Sequence, residues 1–357
     1  MQKPRTQKGL QVVLESMIKE ITHNGKTLKT KFYKDITDEE YNEIVEEYYK
    51  VPKREDLYVQ FRKVANGGAV TSEIYKKYFI KIASDVCFAG DKFSINEILE
   101  SKELVGHFMA KVEAAPHIFN DPTLCKQFIH AVQIGGKGVA RKPTQFPIQV
   151  VYYMLRNYCQ NKNYYDYSCG WGARLLGSMR MKTNYYGTDP NVELVEQLGN
   201  MYEDYYASDP FRLFAPIQKD IRPQGSEIFV EEWTNKMGLC FSSPPYFDLE
   251  DYKHGEQSIK LYPQYKDWLN VYVRKTMENC KKYLVNDGFF AYNIKNTEDY
   301  KMADDFHKIA TEVGFAFLED VELSNGKRVY GSKGDEQGTT HFVDTNEKVY
   351  VYRKSLQ

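Results

Sequence analysis

The feature that most constrains the fold is an alternation of short buried strands with amphipathic helices in the second half of the chain. Predicted strands begin at Tyr164, Asn184, Met237, Gly288, Phe315 and Lys348. Helices are predicted between them, most clearly over residues 173–181, 192–206, 265–284 and 298–313. Such alternation predicts an α/β domain with a largely parallel sheet covered on both faces. Ligands of such sheets bind at the carboxyl ends of the strands.

Composition excludes several other classes of protein. The chain has 357 residues, 42% of them hydrophobic, which is enough for a large core and argues against disorder. No stretch approaches the roughly 18 uncharged apolar residues of a membrane helix, so we expect no membrane association. The six cysteines have neither CxxC nor zinc spacing, so we expect no metal and a reducing cytoplasm. A net charge of −1 means that any nucleic acid must bind a local basic patch.

The sequence divides near residue 135. Residues 1–135 are predicted to be a mainly helical domain, with helices beginning near Asp38 and Thr71. The following segment, residues 133–147, is rich in glycine and proline and carries Lys137, Arg141 and Lys142. We therefore predict two domains, 1–135 and 136–357, with the strand–helix alternation in the second.

A glycine-rich turn, residues 166–172 (DYSCGWG), follows the first strand of that domain. A tight strand-to-helix turn requires positive φ, and a ligand close to the backbone leaves no room for a Cβ atom. The phosphate-loop GK[ST] is absent, and Leu175 occupies the position of the third glycine in a dinucleotide fingerprint. The remaining D-x-x-x-G-x-G pattern is typical of a turn that holds a nucleoside with a small charged tail. An ordinary glycine-rich turn is the structural alternative.

Asp189 ends the second strand, 23 residues after Asp166. A carboxylate at this point can accept hydrogen bonds from both hydroxyls of a ribose. Because Pro190 and Asn191 follow it, Asp189 could instead cap the next helix. Together with the glycine turn, the ribose role is favoured.

A Ser-Pro-Pro-Tyr turn, Ser243 to Tyr246, follows the buried strand that starts at Met237. Two prolines fix φ and remove two N–H donors, which leaves a rigid set of acceptors beside an aromatic ring. Such a turn could hold a planar heterocycle through its amino group, with the Ser243 side chain and the Pro244 carbonyl accepting and Tyr246 stacking. By itself, a Pro-Pro turn is often structural.

The two turns, in this order and about 70 residues apart, resemble those of the S-adenosylmethionine-dependent DNA amino-methyltransferases of bacteria and phages. The resemblance covers roughly residues 142–357, with Tyr and Ser in place of the usual Pro and Phe in the glycine turn. It implies a Rossmann-like class I methyltransferase fold with a mostly parallel seven-stranded sheet. The residues it assigns to the cofactor, S-adenosylmethionine, are Phe146, Asp166, Ser168, Cys169, Gly170, Trp171, Gly172, Asp189 and Asp220. The resemblance places Asp220 after the third strand. The residues it assigns to catalysis are Ser243, Pro244, Pro245 and Tyr246.

The substrate implied by this resemblance is double-stranded DNA, whose target base flips out of the helix. A neutral Ser243 is more often seen with N4 of cytosine than with N6 of adenine, which favours cytosine slightly. The predicted phosphate contacts are Lys137, Arg141, Lys142, Lys327, Arg328 and Lys333. The alternative for each is a solvated surface charge. The helical N-terminal domain is assigned to site recognition by elimination. An RNA or tRNA amino-methyltransferase is the main alternative, and an inactive nucleic-acid-binding module is the second. Oligomeric state is not predicted.

Overall fold

A computed structural model describes residues 18–209, 215–297, 299–322 and 348–355. The predicted phosphate-binding residues Lys327, Arg328 and Lys333 lie outside these ranges. The strands in chain order are β1 Lys19–His23, β2 Lys26–Thr30, β3 Cys87–Phe88, β4 Asn163–Asp166, β5 Asn184–Thr188, β6 Lys219–Arg222, β7 Met237–Ser242, β8 Glu250–Asp251, β9 Leu284–Ile294, β10 Phe315–Glu322 and β11 Lys348–Lys354.

The α-helices of the described residues are, in chain order, α1 Asp38–Tyr49, α2 Arg54–Ala65, α3 Ser72–Tyr78, α4 Ile80–Ser84, α5 Ile95–Leu99, α6 Lys102–Ala114, α7 Leu124–Gly135, α8 Ile148–Tyr158, α9 Ala173–Arg180, α10 Val192–Ala207, α11 Ser258–Leu261, α12 Tyr265–Asp267, α13 Arg274–Tyr283 and α14 Met302–Val313. A short 3₁₀ helix covers Glu231–Trp233, and a π-helix covers Trp268–Val273. None of these helices is long and apolar enough to cross a membrane.

A seven-stranded sheet forms the centre of the larger unit, with the strand order β10-β11-β9-β7-β4-β5-β6. β4, β5, β6, β7 and β9 pair in parallel, whereas β11 is antiparallel to both β9 and β10. This order, with one antiparallel strand inserted near the edge, is that of the Rossmann-like class I methyltransferase fold. The predicted fold class is therefore confirmed.

The central strands are buried on both faces, as a parallel sheet between helices requires. Every residue of β7 is buried, and Tyr164, Tyr165 and Asp166 of β4 are buried as well. Aromatic side chains supply much of this core, and their rings meet edge to face or tilted, for example Tyr165 with Trp233 at 5.3 Å and with Tyr283 at 5.2 Å. Much of the tyrosine content is therefore used in packing.

The chain divides into two compact units. One contains residues 18–50, Ile80–Pro143 and Glu250–Lys253, and is mainly helical with the β1–β2 hairpin and the short β3–β8 pair. The other contains Val51–Phe79, Thr144–Leu249 and the described residues from His254 onwards, and includes the sheet. This division differs from the predicted boundary at residue 135 in its assignment of residues 51–79, 136–143 and 250–253.

Packing explains why residues 51–79 join the sheet unit. Phe61 of α2 is fully buried and its ring contacts Tyr205 of α10 at 5.7 Å. The Tyr78 hydroxyl donates to Asp204 Oδ2 at 2.7 Å, and Arg62 donates to the Ser208 carbonyl at 3.2 Å. These contacts join residues far apart in the chain, so local sequence patterns do not reveal them.

The helix predicted over residues 265–284 is interrupted by the π-helix. Trp268 and Tyr272 both lie in this segment and both are buried, with ring centroids 5.7 Å apart. A π-turn contains an extra residue relative to an α-turn, and such turns are frequent at functional sites. Here the π-helix carries Tyr272, whose surroundings are described below.

Candidate functional site

Both predicted turns begin where neighbouring parallel strands end. β4 pairs with β7 through Tyr164 with Leu239 and Tyr165 with Cys240. The glycine turn starts immediately after β4, and Ser243 follows the last residue of β7. The sheet therefore brings the two turns to the same edge, as the sequence predicts.

The carboxylate of Asp166 connects these turns. It is fully buried, and its Oδ1 accepts from the Ser242 hydroxyl at 2.8 Å and from the backbone N–H of Ser168 at 3.4 Å. Its Oδ2 accepts from Arg174 Nε and from the Tyr185 hydroxyl, both at 2.8 Å. One side chain thus fastens the glycine turn, the following helix and the ends of two further strands.

Arg174 balances the buried charge of Asp166. It lies on α9 and is itself buried, and its guanidinium also donates to the Ser168 carbonyl. Burial opposes its charge, but the nearby Asp166 carboxylate outweighs burial and raises the pKa of Arg174. The guanidinium lies 5.1 Å from the centre of the Phe146 ring, so Phe146 is also close to the glycine turn.

The glycine turn has the backbone conformation that its sequence predicts. Gly170 and Gly172 have φ of +56° and +77°, values that L-residues with a Cβ atom rarely adopt. A Cβ on Gly172 would lie 2.7 Å from Cε of Met201 and 3.0 Å from Cε2 of Phe79. Side-chain packing therefore requires the second glycine, in addition to its backbone conformation. The neighbouring Trp171 is partly exposed and contacts the Phe79 ring at 6.3 Å.

Cys169 anchors the turn to β5 and has no reactive character. Its backbone N–H donates to the Thr188 carbonyl at 3.3 Å, and its thiol contacts the same oxygen at 3.4 Å. Burial raises the pKa of the Cys169 thiol well above its ordinary value. All six cysteines of the chain are free, and none of the described residues forms a group of three or more metal-ligand side chains.

Asp189 lies beside the glycine turn at the end of β5. Its carboxylate accepts from the backbone N–H of Asn191 at 3.1 Å, and the backbone N–H of Gly170 also favours its charged form. Burial raises the pKa of Asp189 to about 6, although these N–H groups act in the opposite direction. The cap of α10 is Asn191, whose Oδ1 accepts from the Leu194 N–H at 3.1 Å, and not Asp189. The carboxylate keeps lone pairs for two hydroxyl donors.

The Ser-Pro-Pro-Tyr turn presents Ser243 more openly than Tyr246. Ser243 is partly exposed, and its hydroxyl donates to the backbone carbonyl of Asn293 at 3.4 Å. Pro244 is buried and Pro245 is partly exposed. Tyr246 is only 8% exposed and belongs to the hydrophobic core beside the sheet. A planar heterocycle that stacks on Tyr246, as the sequence predicts, would therefore contact only a small part of its ring.

Asp220 lies inside β6, not after it as the sequence suggested. Its carboxylate accepts from Arg222 at 2.7 and 3.0 Å and from Trp233 Nε1 at 2.9 Å. Burial opposes ionisation of Asp220, but these donors outweigh it and lower the pKa. Its oxygens are thus largely engaged within the protein.

Glu227, in the loop after β6, is a further carboxylate near the turns. Its Oε2 is buried and has no hydrogen-bond partner among the described residues, and burial raises its pKa. Burial raises the pKa of the Tyr272 hydroxyl on the π-helix, whereas the adjacent Ser226 and the glycine-turn residue Ser168 act to lower it. Charges on Glu227 and Asp189 also act on that hydroxyl. Tyr272 therefore lies near both the loop after β6 and the glycine turn.

The predicted phosphate-binding residues Lys137, Arg141 and Lys142 belong to the other unit. Arg141 donates to Asp91 Oδ2 at 2.7 Å and to the Ala89 carbonyl at 2.6 Å. The same Asp91 accepts from the backbone of Gly138. Arg141 thus fixes its own loop, whereas Lys137 is exposed.

Several site residues escaped the sequence analysis. They are Arg174, Tyr185, Glu227, Ser242 and Tyr272. Arg174 had a visible signal, because it is a cation within an otherwise apolar helix start, eight residues after Asp166. The others become apparent only when distant strands and loops are brought together.

Comparison with known proteins gives no sequence relative, since neither a protein-family model nor a curated protein matches the chain. Among solved structures, the chain is similar to a TehB-like SAM-dependent methyltransferase from Corynebacterium glutamicum, at 14% identity and a TM-score of 0.35 over 58% of this chain and 88% of that one. It is also similar to a SAM-dependent O-methyltransferase from Thermotoga maritima, at 13% identity and a TM-score of 0.40 over 61% and 68%. A third is the N-methyltransferase NodS from Bradyrhizobium japonicum with bound S-adenosyl-L-homocysteine, at 11% identity and a TM-score of 0.35. The match covers 58% of this chain and 83% of that one. TM-scores below 0.5 do not establish the fold, which is assigned from the strand order of the sheet.

Replacing Arg174 with methionine would leave the Asp166 carboxylate buried without its cation. We expect the free energy of unfolding to fall by about 3–5 kcal/mol, the usual cost of breaking a buried ion pair. The matched control is Arg353→Met, which removes an ion pair with Asp287 in which both side chains are about half exposed and should cost under about 1 kcal/mol. Urea denaturation at neutral pH measures both variants. If both variants lose the same small amount of unfolding free energy, the Asp166–Arg174 ion pair is not a main stabilising contact of the site.

Proposed function

We propose that this chain is an S-adenosylmethionine-dependent methyltransferase that acts on the exocyclic amino group of a nucleic-acid base, with double-stranded DNA as the substrate. The observation that carries the proposal is the hydrogen bond from Ser242 to Asp166, which holds the Ser-Pro-Pro-Tyr turn against the glycine turn. One turn suits a nucleoside cofactor and the other suits an amino group. Methyl transfer requires both at one place.

The residues around the glycine turn fit this cofactor. Gly170 and Gly172 give the turn its positive φ, and the Asn191 N–H orients Asp189, whose remaining lone pairs can accept two ribose hydroxyls. Glu227, rather than Asp220, has an oxygen available to accept from a donor on the ligand. When bound, S-adenosylmethionine supplies a methyl group that the base nitrogen takes with its lone pair, while the carbon–sulfur bond breaks and its electron pair neutralises the sulfonium.

The Ser-Pro-Pro-Tyr turn would orient the amino nitrogen. Because the Ser243 proton is directed at the Asn293 carbonyl, its lone pairs can accept an amino N–H. The Pro244 carbonyl can accept the second amino N–H, because a backbone carbonyl oxygen has two lone pairs. Two such hydrogen bonds favour a pyramidal nitrogen whose lone pair is directed away from the ring. This is catalysis by orientation and placed dipoles, and the proton of the product leaves to solvent.

The choice of DNA and of base derives from the sequence resemblance. The pair of turns resembles the DNA amino-methyltransferases, and a neutral Ser243 favours N4 of cytosine slightly over N6 of adenine. A base in duplex DNA must leave the stack to reach these acceptors, at a cost of a few kcal/mol. RNA methylation is the alternative outcome, because an unpaired base offers the same amino group.

Incubation with tritiated S-adenosylmethionine and either duplex DNA or tRNA tests the proposal. After nucleoside digestion and mass analysis, we expect the label on an exocyclic amine of DNA. Ser243→Ala should lower kcat by about 10²-fold, the usual effect of losing one oriented dipole. Ser72→Ala, a serine of the same unit outside the site, is the control and should keep full activity. Label on tRNA alone, or on neither substrate, would refute the DNA assignment.

The pKa of Asp189 predicts how cofactor affinity depends on pH. Ribose hydroxyls donate to the ionised carboxylate, so binding favours the charged form, and affinity is full above the free protein's pKa of about 6. Below that value, affinity for S-adenosylhomocysteine should weaken about tenfold per pH unit. Calorimetry between pH 5 and 8 measures this dependence. Asp189→Asn should bind more weakly at pH 8 and lose the acid dependence. An affinity that rises with acidity would exclude the ribose role.

A further inference from the structure

We propose that Ser242 is a positioning residue for methyl transfer, which sets the separation between the turn that holds the methyl donor and the turn that holds the acceptor. The inference rests on the proposed methyltransferase function but not on the identity of the acceptor. It concerns the residue before the Ser-Pro-Pro-Tyr motif, not the motif itself.

The Ser242 hydroxyl contacts the glycine turn at two points. It lies 2.8 Å from Asp166 Oδ1, to which it donates, and 3.2 Å from the Ser168 carbonyl. The side chain is fully buried, so water does not compete for these acceptors. A short hydrogen bond to a buried carboxylate is charge-assisted and directional. The hydroxyl therefore fixes both the distance and the angle between the turns.

The carboxylate that receives this hydrogen bond is itself immobile. Arg174 and Tyr185 hold the other oxygen of Asp166, each at 2.8 Å. Ser242 is covalently joined to Ser243, whose hydroxyl is in turn directed at the Asn293 carbonyl on the far side of β7. A displacement of Ser242 would thus be transmitted directly to the Ser243 hydroxyl, which is proposed to accept a hydrogen bond from the amino group.

The sheet itself does not depend on this hydroxyl. Backbone pairing with β4 and β9 holds β7 in place, and Ser242 itself is registered with Tyr292. Without Ser242, Asp166 would still receive hydrogen bonds from Arg174, Tyr185 and the Ser168 backbone. Loss of the hydroxyl should therefore loosen the spacing of the turns and leave the fold intact.

Methyl transfer is sensitive to such loosening because the reacting atoms must approach in line, and a misplacement of about 1 Å can cost about 10²-fold in rate. Cofactor and acceptor each bind mainly to their own turn. Ser242 should therefore affect the chemical step more than either binding step.

The test measures steady-state kinetics of Ser242→Ala and Ser242→Cys in the full chain. Cysteine keeps the buried volume but donates weakly, so it serves where alanine fails to fold. We expect kcat to fall about 10- to 100-fold, with KM for S-adenosylmethionine and for the acceptor within about twofold of wild type. The control is Ser178→Ala, which removes another fully buried serine hydroxyl, donated to the Arg174 carbonyl at 3.0 Å. It should lower the melting temperature similarly while kcat stays within about twofold.

Three results would overturn the inference. The first is a normal kcat in either folded Ser242 variant. The second is a rise in KM that accounts for the whole loss, and the third is an equal kcat loss in Ser178→Ala. If the wild-type chain transfers no methyl group to any acceptor, the proposed function fails and the inference fails with it. That outcome is distinct from the other three, in which wild type is active.

Discussion

A single buried carboxylate holds this site together. Asp166 is the last residue of its strand and accepts hydrogen bonds from the glycine turn, from α9, from β5 and from β7. A buried carboxylate is tolerable only when it is paired and its lone pairs are satisfied, and Arg174 and Tyr185 meet that requirement. Because the same group also receives Ser242, the electrostatic demand of one side chain fixes the relative position of two loops more than 70 residues apart in sequence.

The neutral acceptors and the carboxylates Asp189 and Glu227 determine the chemistry available at this edge. The thiols of Cys169 and Cys240 are buried with raised pKa values, so neither suits nucleophilic attack. Ser243 directs its proton at a backbone carbonyl and keeps its lone pairs for an incoming donor. Asp189 titrates near pH 6, so its charge is sensitive to what binds beside it. This set of groups is suited to orienting an amine, and it contains no covalent catalyst.

The spacing of hydrophobic residues predicted most of the sheet, because alternating strands and helices are compatible with few topologies. The residue types of the two turns predicted their convergence, and the positive φ at Gly170 and Gly172 requires glycine. The sequence did not predict which helices pack on the sheet, since Phe61 reaches Tyr205 only through tertiary packing. It also placed Asp220 after its strand, whereas this carboxylate lies within β6, where Arg222 and Trp233 engage it. Glu227 and Tyr272 approach the turns from distant segments, which no local pattern could indicate. Asp166 was found from the sequence, but its side-chain hydrogen-bond partners Arg174, Tyr185 and Ser242 were not.

A crystal structure with bound S-adenosylhomocysteine tests the central claim most directly, because it locates the ligand relative to both turns. The account predicts that the ribose hydroxyls donate to Asp189 and that the sulfur faces Ser243 and Pro244 across the glycine turn. A ligand bound elsewhere, or one whose sulfur faces away from the Pro-Pro turn, would contradict it.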